Sequence, residues 1–189
     1  QTEDEIAAAT MSIGANYAGV RGFTASAGPG LSLMMESIGL SGMTETPFVV
    51  INTQRGGPST GLPTKQEQAD LMQMIYGTHG DIPKIVVAPT DAEDAFYLTM
   101  EAFNLAEEYQ CPVIILSDLQ LSLGKQTVKN LDYNRIQIKR GELIQSDIER
   151  EEDDKTYFRR YALTGSGISP RPIPGTKGGI HHITGVEHN

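Results

Sequence analysis

Two stretches carry side chains with chemistry to offer. The first is Thr2 to Gly30, TEDEIAAATMSIGANYAGVRGFTASAGPG, where Glu3, Asp4 and Glu5 head a run of small and apolar residues. A carboxylate at the head of a tightly packed helix is a cofactor-holding device in several α/β enzymes. The plainer reading is that acidic side chains are favoured at a helix N-terminus. The second stretch is Gln54 to Thr64, QRGGPSTGLPT. Its Arg55 is a planar, permanently charged fork for a carboxylate or a phosphate, set among small hydroxyl side chains. Against this stands an ordinary Gly/Pro loop with a surface arginine.

Other constellations offer less. Gly57-Pro58-Ser59-Thr60-Gly61 matches the GxSxG pattern of a nucleophile elbow. An elbow must turn straight into a helix, however, and Pro63 and a helix cap at Thr64 argue against that. No GxGxxG follows a strand, and no GxxxxGK[ST] is present. His79 reads as a loop residue. His181, His182 and His188 lie in a Gly-rich tail that gives no metal-ligand spacing. Cys111 opens an apolar run and reads as a small buried hydrophobe.

These groups must be positioned by regular elements. Ile6, Ala9, Ile13 and Tyr17 recur at helical spacing and predict a helix over 3–18. Val20 to Ala25 follows as a strand, Ser26 to Gly30 as a turn, and a second helix is predicted over 31–40. The run PFVVIN opened by Pro47 suits a strand buried on both faces of a parallel sheet. The Arg55 loop leaves its C-terminal end, the edge at which open parallel sheets bind ligands. Thr64 followed by Glu67 has capping-box spacing and predicts a helix from there to about Tyr76. KIVVA (84–88) is a third strand. Asp91 caps a helix over 92–109, and CPVIILSD (111–118) is a fourth strand. Strands alternating with helices over the first 124 residues imply an α/β fold with a mostly parallel, doubly wound sheet. Residues 125–189 change texture, with a charge run over 149–154 and then many Gly and Pro. They read as an irregular extension that wraps a neighbour or links onward, with no second core.

Composition closes off several classes. The 189 residues are 39% apolar and 6% aromatic, enough for one α/β core. A net charge of −9 speaks against a nucleic-acid surface, which needs clustered Lys and Arg. No apolar run reaches the roughly 18 residues of a membrane span, and no secretory leader is visible. The single Cys111 excludes an internal disulfide and a Cys-only metal cluster held by this chain. A cytoplasmic setting is expected. The abrupt start, almost on a helix, suggests a piece of a longer subunit. Taken alone, these residues define an α/β domain with an anion site near Arg55.

The chain resembles the pyrimidine-binding region of the α subunit of 2-oxoacid:ferredoxin oxidoreductases, most closely the 2-oxoglutarate branch. The resemblance is carried by TEDEIAA, SIGANYAGVRGFTASAGPGLSLMMESIGLSGMTETP, QRGGPSTGLPT with KQEQADL, HGD and the C-terminal ISPRPIPGTKGGIHHITGVEHN. It implies a thiamine diphosphate enzyme that oxidatively decarboxylates a 2-oxoacid to an acyl-CoA and passes electrons to ferredoxin. It also implies a Glu that contacts the aminopyrimidine ring and shares a proton with it. Such enzymes commonly place Gly nine and fourteen residues after that Glu. Counting from Glu5 gives Gly14 and Gly19, whereas Glu3 gives Ser12 and Tyr17, so Glu5 is assigned. By the same likeness Arg55 and Thr64 hold the substrate carboxylate, and Thr24, Ser26 and Gly28 line the cofactor. A dicarboxylate substrate would need a second cation, from Lys65, Arg21 or a partner.

This sequence holds no GDG…N motif and no cysteine cluster. The thiamine diphosphate site is therefore expected to be shared with a β subunit that carries the diphosphate and Mg2+ contacts. The 4Fe–4S clusters are likewise expected on partner subunits, with gamma and ferredoxin-like delta subunits as further candidates. The chain alone is expected to be inactive. The alternative is a non-catalytic α/β module that binds an anionic metabolite through the Arg55 loop.

Overall fold

The computed structural model describes residues 1–149 and 157–183. Helix α1 (Glu5–Tyr17) leads into strand β1 (Phe23–Ser26), helix α2 (Gly28–Met43) and strand β2 (Phe48–Gln54). Helix α3 (Leu71–Tyr76), strand β3 (Ile85–Val87), helix α4 (Ala92–Tyr109), strand β4 (Pro112–Asp118) and helix α5 (Leu119–Leu123) complete the α/β part. The four strands form one parallel sheet in the order β1-β2-β4-β3.

The apolar runs of β2 and β4 dictate this arrangement. Both strands are central and in register from Phe48↔Pro112 to Gln54↔Asp118, so both of their faces need cover. Phe48, Val50, Ile114 and Leu116 face one way and pack on Ala9 and Ile13 of α1, Leu31, Met34 and Ile38 of α2, and Met74 of α3. Val49, Val113 and Ile115 face the other way and meet Ala102 and Ala106 of α4. The alternation is the period of a strand buried on both sides. The sheet is doubly wound, as the pattern of elements predicts.

The boundaries of α4 coincide with the predicted ones, and Asp91 caps it by accepting from the Asp94 amide at 2.8 Å. Strand β1 begins later than expected because Val20 still belongs to the turn that closes α1, its amide bonded to Ala15 O at 2.9 Å. Helix α2 starts earlier, at Gly28, with Pro29 in its first turn, where a missing N–H costs nothing.

The helix predicted from the Thr64 cap is corrected: residues 64–70 are not helical, and α3 covers only Leu71–Tyr76. The acidic and amide side chains that would have served a capping box make long-range bonds instead. Glu67 accepts from the Gly57 amide, and Gln68 donates to Asp118.

The extension beyond Gly124 adds a 3-10 turn (Tyr133–Arg135) and a two-stranded parallel pair, β5 (Leu143–Ile144) with β6 (Arg171–Pro172). Its arginines thread back into the α/β layer. Arg160 donates to Glu45 O and to Gln110, both at 2.7 Å. The carboxylate of Glu107, only 3% exposed, receives Arg21 at 2.8 Å, Arg140 at 2.8 Å and Arg171 at 3.7 Å. Of the predicted features here, most of the 149–154 charge run and His188 lie outside the described residues. His181 contacts Tyr17 Oη at 3.2 Å, and His182 meets the Tyr157 ring edge-on. Among the described residues no helix is long and apolar enough to cross a membrane, and no group of three or more metal-capable side chains converges.

The core can be probed at two points. Glu107→Ala strands the buried Arg171 guanidinium and removes the shared partner of Arg21 and Arg140; it is expected to cost about 3 kcal/mol in urea unfolding, the lower end for breaking a buried ion pair from one side. Burial pushes the Cys111 thiol up from 9.0 to about 11. The folded chain then keeps a proton that the unfolded chain releases between those values. The stability this group contributes is intact below pH 9 and is lost as pH rises toward 11. Iodoacetamide at about pH 8, below the ordinary thiol pKa of roughly 8.5, should leave Cys111 unmodified in native protein and alkylate it readily in urea.

Candidate functional site

Glu5 is the first residue of α1. Asp4, not Glu5, caps that helix: its carboxylate accepts from the Ala7 amide at 2.8 Å. Glu5 is thereby released from helix duty, and its Oε1 lies 3.5 Å from Ser26 Oγ at the end of β1. The first turn of α2 closes over this pair. A Cβ at Gly30 would run into Ser26 Oγ and would stand 2.8 Å from Glu5 Cγ and 2.9 Å from Glu5 Oε1. Only glycine allows so close an approach. Thr24 is buried two residues before Ser26 and, by strand alternation, faces the same way.

Arg55 follows directly on Gln54, the last residue of β2. The loop after it folds back on itself through Gly56 N→Lys65 O at 2.8 Å and Leu62 N→Gly56 O at 2.8 Å. Gly61 makes this closure possible, with φ +57° and no room for a side chain against Gly56. Arg55 lines a cleft of about 180 Å³ together with Gly28, Ser32, Ser59, Asp70 and Gln73. Its Nε is buried with no hydrogen-bond partner. Ser59 sits in a turn that leads back to Gly56 rather than into a helix, which removes the elbow geometry.

The two candidate groups therefore share one edge of the sheet. Gly30 touches Glu5, and Gly28, two residues earlier on the same turn, lines the Arg55 cleft. Thr64 is exposed on the returning limb of the loop, outside the cleft lining. Arg21 is committed elsewhere, to Glu107, Asn104 and Lys139 O. Lys65 is exposed and does not line the cleft. His79 is a surface residue 3.9 Å from Glu36.

A larger recess of about 490 Å³ opens at the ends of β2, β3 and β4, lined by Gln54, Gln68, Thr90, Ser117, Asp118 and Gln126 among others. Among the described residues no Lys or Arg lines it, and it holds the Asp118 carboxylate, so the Arg55 cleft suits an anion better. The bond from the Leu121 amide, followed by that from Gln68, holds the Asp118 carboxyl below its usual range. Three residues at or beneath the smaller cleft escaped sequence reading: Asn52, Asp70 and Gln73. Asn52 Nδ2 donates to Asp70 Oδ2 at 3.0 Å, and Gln73 Nε2 donates to Ser32 Oγ at 2.8 Å. The available signal was the pair of polar residues, Asn52 and Gln54, that ends an otherwise apolar strand.

Fold and edge together define a doubly wound α/β domain with a carboxylate, Glu5, and a guanidinium, Arg55, near the C-terminal ends of its strands. The chain belongs to the pyruvate flavodoxin/ferredoxin oxidoreductase, thiamine diphosphate-binding family, whose profile matches residues 1–189. It is 47% identical over 189 residues to the 2-oxoglutarate synthase subunit KorA of Methanothermobacter thermautotrophicus, covering 100% of this chain and 48% of that protein. It is 44% identical over 192 residues to 2-oxoacid:ferredoxin oxidoreductase 1, subunit alpha, of Sulfurisphaera tokodaii, covering 100% of this chain and 29% of that protein. A solved structure of 2-oxoglutarate:ferredoxin oxidoreductase from Magnetococcus marinus, with 2-oxoglutarate, coenzyme A and succinyl-CoA bound, superposes with a TM-score of 0.89 at 45% identity. That match spans 100% of this chain and 32% of the other. The chain thus spans less than half the length of these relatives.

The glycines give a paired prediction. Gly30→Ala should push Glu5 and Ser26 apart at a cost of about 1–3 kcal/mol, as overpacking does. At Gly14 no atom beyond its chain neighbours and the backbone of α1 itself lies within 4 Å of the place a Cβ would occupy. Gly14→Ala should therefore stabilise the chain by roughly 1 kcal/mol through helix propensity. Urea titration of the two variants reads both signs.

Proposed function

We propose that this chain is the pyrimidine-binding part of the α subunit of a 2-oxoacid:ferredoxin oxidoreductase with 2-oxoglutarate as the substrate. The reaction is CoA-dependent oxidative decarboxylation to an acyl-CoA and CO2, with electrons delivered to ferredoxin. The observation that carries this reading is the common edge: one turn, Gly28 to Gly30, touches the Glu5 carboxylate at one end and lines the Arg55 cleft at the other.

The residues present fit a thiamine ring. Glu5 is free of capping duty, it faces a second polar group in Ser26, and the glycine turn above them leaves the approach open. Thiamine diphosphate, when bound, supplies the electron sink that decarboxylation of a 2-oxoacid needs. The chain's own contribution is to hold and to aim. Glu5 keeps a carboxyl where a ring nitrogen can share its proton, Ser26 steadies that carboxyl, and Thr24 and Gly28 form the wall beside it. Arg55 takes the substrate carboxylate as a charge-assisted fork. Thr64, on the same loop, adds a hydroxyl from outside the cleft. Neither Arg21 nor Lys65 lines the cleft, so the second carboxylate of a dicarboxylate substrate is assigned to a partner residue.

Residues 1–124 form the cofactor-facing domain, and 125–189 an extension whose outer surface lies against a partner. A β subunit is assigned the diphosphate and Mg2+ contacts, and iron–sulfur clusters are assigned to partner subunits, in a cytoplasmic complex. The relatives named for 2-oxoglutarate favour that substrate over other 2-oxoacids.

The test is ferredoxin reduction by the reconstituted complex. Glu5→Gln should lower kcat by about 100-fold or more, the scale of a lost proton-transfer group. Arg55→Ala should raise KM for the 2-oxoacid by about 10- to 100-fold, as expected for a hydrogen-bonded charge. Turnover by Glu5→Gln equal to the parent would end the catalytic reading and leave the alternative of an anion-binding module.

A further inference from the structure

The Arg55 cleft contains its own neutralising group. Asp70 and Arg55 line the same recess, yet among the described residues no carboxylate lies in ion-pair contact with Arg55, and its Nε is buried without a partner. Asp70 is turned toward the sheet instead. Its Oδ2 accepts from Asn52 Nδ2 at 3.0 Å, and its backbone amide donates to Gln54 Oε1 at 3.0 Å. Both anchors lie on β2 and are buried. The carboxylate rests on the β1–α2 turn, where a Cβ at Gly28 would stand 3.0 to 3.3 Å from its three atoms.

Asn52 is costly where it is. It is fully buried, in register between Ser26 of β1 and Leu116 of β4, and its own Oδ1 has no hydrogen-bond partner. A buried amide half satisfied in this way stabilises little. What it does is fix the direction of a carboxylate. Opposite charges in a small cleft attract more strongly than in bulk water, so the direction in which Asp70 is held bears on Arg55, which lines the same cleft.

We propose that Asn52 is a positioning residue: its amide holds Asp70 off Arg55 and keeps the guanidinium open for the carboxylate of the 2-oxoacid. The inference rests on the reading of Arg55 as the carboxylate fork, and it makes a claim of its own about Asp70.

The test is the reactivity of Arg55 toward phenylglyoxal in the assembled complex without substrate, followed by peptide mass spectrometry. In Asn52→Ala, labelling of Arg55 should slow about fivefold as Asp70 pairs with it, the upper range of an exposed ion pair. Adding Asp70→Asn should restore the parent rate. KM for the 2-oxoacid should rise about tenfold in the single variant and recover in the double, with kcat changing less. Asn52→Val, which suits a strand, carries the same expectation should the alanine variant fail to assemble. Unchanged labelling in these variants overturns the proposal. So does slowed labelling that Asp70→Asn does not reverse, which would mark a merely structural role. Arg55→Ala, assayed alongside, keeps the two readings apart. An unchanged KM there removes Arg55 from substrate binding, while the labelling series still decides whether Asn52 restrains Asp70.

Discussion

The pairing of β2 with β4 is the constraint on which everything else hangs. Seven consecutive residues of each strand lie in parallel register, and side chains from both faces of the pair enter the core. Such a ladder has no freedom to slip, because a one-residue shift would exchange the two buried faces. Its last pair, Gln54 with Asp118, is therefore a fixed datum. From it the chain hangs the Arg55 loop on one strand and α5 on the other. Gln54 secures this end twice, by donating to Ser117 O and accepting from the Asp70 amide. The site inherits its geometry from the core rather than from the loop alone.

How much of this was legible depends on the range of the interactions involved. Strands β2 and β4 and helix α4 announce themselves because an unbroken apolar run or an amphipathic stripe with an Asp cap is a local pattern. Glu5 and Arg55 were legible as chemistry, and their loop and turn as places where it could occur. Helix α3 is shorter than its pattern predicts because Glu67 and Gln68 look like the start of a helix but are used by Gly57 and Asp118, 10 and 50 residues away. The same holds for Asp70, whose partner Asn52 is 18 residues earlier. A capping pattern records what the backbone could do alone, and tertiary bonds outvoted it here.

The extension shows the same limit more strongly. Nothing local in its polar sequence says that Arg140 will reach Gly19 O, 121 residues away, or that Arg171 will reach Asn16 O, 155 residues away. Glu107 is the point at which these long reaches meet. A carboxylate near the end of α4 thus binds the turn after α1, the helix itself and the extension into one body. Removing an ion pair of this kind differs from exchanging it for apolar groups, since Arg171 is already out of water.

The inward turn of these arginines also changes how the molecule looks from a distance. Arg21, Arg140, Arg160 and Arg171 spend their charge on two glutamates and on backbone oxygens. What remains at the surface is more acidic than the formal −9 implies. At physiological salt that excess charge acts over a Debye length of about 8 Å, so it is felt only close to the surface.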